Sequence, residues 1–136
     1  MRFNCILLVD DDRVSNFLTE KVIRGMGISS MIITVNDGKK ALEYIKNECT
    51  QEMDGCPDLI LLDVNMPLLN GVEFMELYNK IENKRMQSLV IVLSSTELPE
   101  DYRKRLQDSN VSDFLIKPFT VEKMQSVLGK YLPEKV

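Results

Sequence analysis

Histidine is absent from all 136 residues. That removes the side chain that most often serves as metal ligand and as general base near neutral pH. It also means that the chain cannot itself be a histidine kinase or a histidine phosphotransfer protein. Cysteine is scarce, at three, too few for the disulfide framework of a small secreted scaffold. Cys5 lies in an apolar strand pattern and reads as core. Cys49 and Cys56 flank a polar stretch and read as two loop thiols rather than as a disulfide or metal pair. No apolar run approaches the ~20 residues that cross a bilayer. The N-terminal MRFNCILLVDDD lacks both the apolar h-region of a signal peptide and its small-residue cleavage site. A cytoplasmic location without membrane contact is expected. The 17 Lys and Arg against 21 Asp and Glu give a net charge of −4, not the basic surplus of a nucleic-acid binder. Internal repeats, low-complexity segments and linkers are also missing. The expectation is one domain over residues 1–136, with its core at about 4–132; 44% apolar residues suffice to fill it.

The chain is organised around DLILLDVNMPLLNG, Asp58 to Gly71. Leu59–Leu62 reads as a buried strand ending in Asp63, and a turn containing Pro67 follows. Cys5–Val9 is a similar run closed by Asp10, Asp11 and Asp12. Val14, Phe17, Leu18, Val22 and Met26 then recur at helical spacing, ended by Gly25 and Gly27. Met31–Val35 is a weaker strand, and Asn36 or Asp37 can cap a helix with apolar Ala41, Leu42 and Ile45. Asn47 to Pro57 reads as a long loop. Val72, Met75, Leu77, Tyr78 and Ile81 form the next helical stripe. Leu89–Leu93 is a fourth strand, ending in Ser94 and Ser95. Pro99 opens a helix to about Asp108 that carries little apolar surface beyond Tyr102 and Leu106, the most weakly held element. Phe114–Ile116 is a fifth strand, ending at Lys117 and Pro118. Thr120 caps a last helix with Val121, Met124, Leu128 and Tyr131 facing inward.

Strands alternating with helices predict an α/β fold: a three-layer, flavodoxin-like, doubly wound sheet of five parallel strands in order 2-1-3-4-5 with five helices. In a parallel sheet the C-terminal strand ends share one edge. That edge would gather Asp10 and Asp11, Asp63, Ser94 and Lys117. Each has an ordinary reading alone: a helix cap, a solvated turn, a turn hydroxyl, a surface charge. Their coincidence at four strand ends points further. Neighbouring carboxylates repel in a partly dry crevice, and a divalent cation relieves that. Oxygen-only ligands suit Mg²⁺, with Mn²⁺ as a close substitute. An acid beside a metal, a lysine and a hydroxyl has the parts for phosphoryl transfer, with the carboxylate as nucleophile.

The motifs ILLVDDD, LILLDVNMPLLNG, IVLSS and FLIKPFT together resemble the response-regulator receiver domain of two-component signalling, of the stand-alone, chemotaxis-regulator-like kind. The resemblance covers essentially the whole chain. It implies that Asp63 is the phosphoacceptor and that Asp10, Asp11 and the Asn65 backbone carbonyl hold Mg²⁺. Lys117 would bind the phosphoryl group, Ser94 and Phe114 would be the switch pair, and the Lys117–Pro118 bond would be cis. The implied function is phosphorelay signalling. A sensor histidine kinase or histidine phosphotransfer protein would donate the phosphoryl group, and a changed surface would engage a downstream protein. The chain would not be an enzyme beyond self-phosphorylation and self-dephosphorylation. Departures from the common pattern are Ser95, Asn70, Val111, Asp113 and Phe114. The rival enzyme reading is a haloacid-dehalogenase-type phosphatase with Asp10 as nucleophile, since Asp10-Asp11-Asp12-Arg13-Val14 fits D-x-D-x-[TV]. That family needs acids after the lysine, and no Asp follows Lys117.

Overall fold

A computed structural model describes residues 3–29, 31–50, 55–66, 69–82, 84 and 87–131. Ten elements alternate: β1 (Cys5–Val9), α1 (Arg13–Met26), β2 (Met31–Val35), α2 (Gly38–Cys49), β3 (Leu59–Asp63), α3 (Gly71–Asn79), β4 (Leu89–Ser94), α4 (Glu100–Asp108), β5 (Asp113–Ile116) and α5 (Val121–Tyr131). The strands pair in parallel in the order β2-β1-β3-β4-β5, as the alternation of elements predicts. The turn at Pro67 lies outside the described residues, as do 51–54 of the expected loop and the tail from 132.

The three central strands are apolar at nearly every position because both their faces are covered. Leu7, Val9, Ile60, Leu62, Val90 and Val92 point into one core with α2, α3 and Leu106 of α4. Ile6, Leu8, Leu59, Leu61, Ile91 and Leu93 point into the other with α1 and α5. Register places Val9 opposite Leu62, and Asp63 opposite Leu93. The residues just past these positions therefore emerge side by side at one rim.

Helix boundaries follow cap chemistry. The Asp12 carboxylate accepts the Val14 and Ser15 N–H groups, and Asp37 accepts that of Lys40. Asn70 and Glu73 form a reciprocal capping box at α3. Asn70, a departure from the family pattern, caps as well as Asp would. Gly27 ends α1 with φ 64°, the left-handed position that favours glycine. Gly71 is closely packed: a Cβ there would lie 3.0 Å from Val64 Cγ1, so a larger residue would push on that side chain.

Several expectations need correction. The stripe on α1 divides: Val22 and Met26 pack against the core beside buried Ile23, with Thr19 also buried, whereas Val14, Phe17 and Leu18 are 65%, 59% and 55% exposed. On α3, Phe74 is fully buried and Leu77 is turned outward; Phe74 and Tyr78 stack across one turn, 6.3 Å between ring centroids. Val121 and Tyr131 lie at the margin of the α5 face, where Val127 completes the buried stripe. α2 runs on through Cys49, so Asn47–Cys49 is helix rather than loop. Cys49 and Cys56 are not loop thiols. Both are buried in the core and joined as a disulfide, Cα–Cα 4.7 Å. The extra helical turn carries Cys49 inward, beside the entry to β3. α4 is held as lightly as expected: Pro99 stands at its N-cap without a side-chain cap bond, and Leu106 is its buried residue.

Candidate functional site

Asp10 immediately follows β1, and its backbone N–H donates to Val35 O at 3.2 Å. The Asn16 side chain donates to Asp10 O at 2.8 Å, fixing that strand end from α1. The Asp12 N–H donates to Asp10 Oδ1 at 2.9 Å. Asp12 thus shapes the site through its backbone while its carboxylate caps α1. Sequence reasoning gave neither Asp12 nor Asn16 a part. An Asp directly before a helical pattern signals a cap, but nothing in the sequence marks Asn16.

Asp63 closes β3 in the adjacent position. One oxygen from each of Asp10, Asp11 and Asp63 can lie within 4.8 Å of the others. Asp10 and Asp63 are buried and Asp11 is exposed. Lys117, after β5, reaches across: its ammonium is 2.8 Å from Asp10 Oδ2 and 3.9 Å from Asp63 Oδ2. The Lys117–Pro118 peptide is cis. The Asn65 N–H donates to Asp63 Oδ1 at 3.2 Å. Ser94 ends β4, buried, with its hydroxyl donating to Thr96 O at 2.6 Å, and the Lys117 N–H donates to Ser94 O at 2.7 Å. Phe114 lies half-buried on β5. Together with Ser94, Leu98 and Arg103 it lines a pocket of about 290 Å³. The strand-end residues expected to meet therefore do so, and Ser94 and Phe114 share one pocket beside them.

The two buried acids are not equivalent. Burial acts to raise the pKa of Asp10, but the Lys117 hydrogen bond, the Asp12 N–H and the Lys117 charge outweigh it and leave Asp10 below the ordinary carboxylate range. Burial, and then the charge of Asp10, push Asp63 up to about 6 against the weaker help of the Asn65 N–H and Lys117. One lysine facing clustered carboxylates leaves net negative charge in a crevice of restricted hydration. Carboxylate oxygens at this spacing, without nitrogen or sulfur donors, fit a hard cation such as Mg²⁺.

A hydroxyl, a lysine and an acid trio at the C-terminal rim of a five-stranded parallel sheet define a receiver, and the sequence matches that family. The model of the response regulator receiver domain matches residues 6–129, and the chain belongs to this family. It is 29% identical over 126 residues to the probable C4-dicarboxylate response regulator DctR of Bacillus subtilis, covering 93% of this chain and 51% of that protein. The chain thus spans about half the length of that relative. Two-component response regulator 24 of Arabidopsis thaliana is 31% identical over 124 residues, covering 91% of this chain and 81% of that protein. Among solved structures, a two-component response regulator from Cytophaga hutchinsonii superposes with a TM-score of 0.83 at 28% identity, covering 98% of this chain and 99% of the other. Receiver domains are signalling phosphoacceptors that bind Mg²⁺ at an aspartate cluster and interact with histidine kinases or phosphotransfer proteins. The dehalogenase-type phosphatase reading finds no support in these matches.

Proposed function

We propose that Asp63 accepts a phosphoryl group from a phosphohistidine carried by a sensor histidine kinase or a histidine phosphotransfer protein. The proposed setting is the cytoplasm, and the acting unit is a single receiver spanning about residues 4–132. Asp10, Asp11 and the Asn65 carbonyl would hold Mg²⁺. The observation that carries this reading is the position of Lys117, bonded to Asp10 at 2.8 Å and 3.9 Å from Asp63, where the carboxylates of Asp10, Asp11 and Asp63 converge.

A carboxylate oxygen of Asp63 attacks phosphorus, and the N–P bond of the phosphohistidine breaks. The imidazole leaves with the bonding pair and takes up a proton, and Asp63 becomes an acyl phosphate. Bound Mg²⁺ supplies positive charge to the phosphoryl oxygens. The chain's own groups position the reaction. The Asn65 N–H on Oδ1 orients the Asp63 carboxylate. Lys117 shifts from Asp10 toward the incoming oxygens. Ser94 exchanges its bond to the Thr96 carbonyl for one to the phosphoryl group, and Phe114 follows into the space vacated. The pocket that Ser94 and Phe114 already share supports this coupling. Turnover is confined to phosphorylation of Asp63 and hydrolysis of the acyl phosphate.

The donor docks over α1. Val14 and Leu18 are exposed there, and with Val22, Pro118 and Phe119 they line a largely apolar hollow of about 600 Å³ that reaches Lys117. An apolar helix face carrying the phosphohistidine suits it. Lys104 and Arg105 on α4 are left to solvent, whereas Arg103 pairs with Glu97 and donates to Leu98 O, both at 3.4 Å.

The test is Mg²⁺-dependent labelling from a phosphohistidine donor. Wild type is expected to gain a hydroxylamine-sensitive acyl phosphate, and Asp63→Asn to gain none. Undiminished label on the variant would place the acceptor elsewhere.

A further inference from the structure

We propose that Cys49 and Cys56 are a reversible dithiol–disulfide pair whose state sets how firmly α2 is held, and through α2 the contact of Gly38 with Leu69 on the way from Asp63 to α3. The reductant is a dithiol, either a small molecule or a protein. The effect on the acceptor rests on the function proposed above, whereas the redox chemistry does not.

The bridge joins two segments that are held very unequally. On the Cys56 side, the chain is fixed without it. The Asp58 carboxylate accepts the Asn4 and Cys5 N–H groups at 2.9 and 3.1 Å. The Asp58 N–H donates to Cys5 O at 3.1 Å, and the Leu89 N–H donates to Asp58 O at 3.0 Å. The Ser88 hydroxyl donates to Pro57 O at 2.6 Å. On the other side, Cys49 is the final residue of α2 and the buried side chain of its last turn. Among the described residues, the further tie between α2 and this connection is the Tyr44 hydroxyl, donating to Gly55 O at 2.6 Å. Opening the bridge therefore loosens the end of α2 and leaves the entry to β3 in place.

α2 carries that change to the acceptor rim. Its first residue, Gly38, abuts Leu69 so closely that a Cβ would stand 2.8 Å from Leu69 Cδ2. Leu69 belongs to the connection that begins with Val64 and Asn65, whose N–H orients Asp63. A packed helix of 12 residues that tilts at one end shifts its contacts at the other.

The chemistry balances. Both sulfurs are buried, so a thiolate of the reductant reaches one of them as the last turn of α2 opens locally; the Cys49–Cys56 bond then breaks, and a mixed disulfide forms. The reductant's second thiol displaces the protein sulfur and closes a disulfide of its own. Two electrons and two protons thereby pass to Cys49 and Cys56. Cys5 stands outside the bridge as a free thiol: its S–H faces the Tyr44 hydroxyl at 3.8 Å, and burial raises its pKa. In a reducing compartment, disulfides are characteristically transient and redox-sensing.

The experiment equilibrates the folded full chain with reduced or oxidised dithiothreitol, then counts alkylated cysteines by intact mass. It follows amide exchange and measures beryllofluoride affinity with Mg²⁺ in both states. Reduction is expected to expose two alkylatable thiols without unfolding, and oxidised dithiothreitol to reverse this. Exchange should quicken at 46–50 and 69–71, and beryllofluoride binding should weaken by about three- to tenfold. Cys49→Ala/Cys56→Ala should resemble the reduced protein and ignore dithiothreitol. If that variant does not fold, the reduced wild type carries the comparison. A bridge that yields only when urea unfolds the chain would overturn the proposal, as would equal exchange at 69–71 in both states. Absence of beryllofluoride binding in both states would instead strike the acceptor reading, with thiol count and exchange still deciding the redox pair.

Discussion

Replacing Asp63, the proposed acceptor, should make the protein more stable. Burial and the charge of Asp10 raise Asp63 from 3.8 to about 6. A carboxyl whose pKa is raised on folding binds its proton more tightly in the folded state. Its favourable contribution is therefore complete below about pH 4 and is lost as pH climbs through about 6. With 1.36 kcal/mol per pH unit, integrating between those values gives a cost of about 1 kcal/mol near pH 4.5 and about 3 kcal/mol near pH 7.5. The latter is a ceiling, because Lys117 can shift toward Asp63 as it ionises. Asp63→Asn keeps the shape and removes the charge. Without metal, it should exceed wild type by up to those amounts, more at pH 7.5 than at pH 4.5. For urea slopes of ~1–3 kcal/mol per M, the midpoint at pH 7.5 should rise by up to about 1–3 M. Urea denaturation of both proteins at the two pH values, in EDTA, reads this directly. Equal midpoints at pH 7.5, or a gap that does not widen with pH, would refute the view that Asp63 is held as an unsettled charge. Mg²⁺ should then narrow the gap by stabilising wild type about 1.4 kcal/mol per tenfold excess over its dissociation constant.

Lys117→Ala should do the reverse, leaving Asp10 and Asp63 without their common cation. A loss of about 1–3 kcal/mol at pH 7.5 in EDTA, shrinking below pH 5, is expected from urea midpoints. Cys49→Ala/Cys56→Ala opens a disulfide with a sequence separation of seven. Chain-entropy reasoning for so short a loop gives a loss of about 2.5 kcal/mol, read as the difference from oxidised wild type. Leu106→Ala removes the buried side chain by which α4 is anchored. It should cost about 2–5 kcal/mol and speed amide exchange through 100–108 before it does so elsewhere.

The sheet was legible in the sequence because its physics is local. A strand buried on both faces must be apolar without alternation, and Cys5–Val9, Leu59–Leu62 and Leu89–Leu93 are. Asp37 and Thr120 cap where a short polar side chain before a helical pattern has to; the Thr120 hydroxyl accepts the Lys123 N–H at 3.2 Å. The site was legible for the same reason, since parallel register fixes where strand ends emerge. The exposed face of α1 was not. Periodicity reports that Val14, Phe17 and Leu18 lie close together on a helix, but not whether that face meets the core or a partner. Thr19, buried where an apolar residue would be anticipated, gives the pattern no weight. The Cys49–Cys56 bridge was hidden by a helix boundary: three further residues of α2 separate a polar loop from a buried turn, and a separation of seven does not distinguish them.

The unequal reach of Lys117 says how the rim can be a switch. At 2.8 Å from Asp10 and 3.9 Å from Asp63, it settles the charge of the first acid and leaves the second exposed to whatever arrives. In the proposed reaction a phosphoryl group on Asp63 would offer the ammonium oxygens that Asp10 alone cannot match, and drawing Lys117 over would pull on its backbone. That backbone is bonded to the Ser94 carbonyl at 2.7 Å, so the ends of β4 and β5 would be displaced together. Phe114, on β5, lines with Ser94 a pocket bounded by the β4–α4 connection. α4, held by Leu106 and uncapped by any side chain, is the neighbour that yields at least cost. In the proposed switch the unsettled acid and the loosely held helix would work as one device: phosphorylation would relieve the charge held at Asp63, and the relief would be felt where packing resists it least.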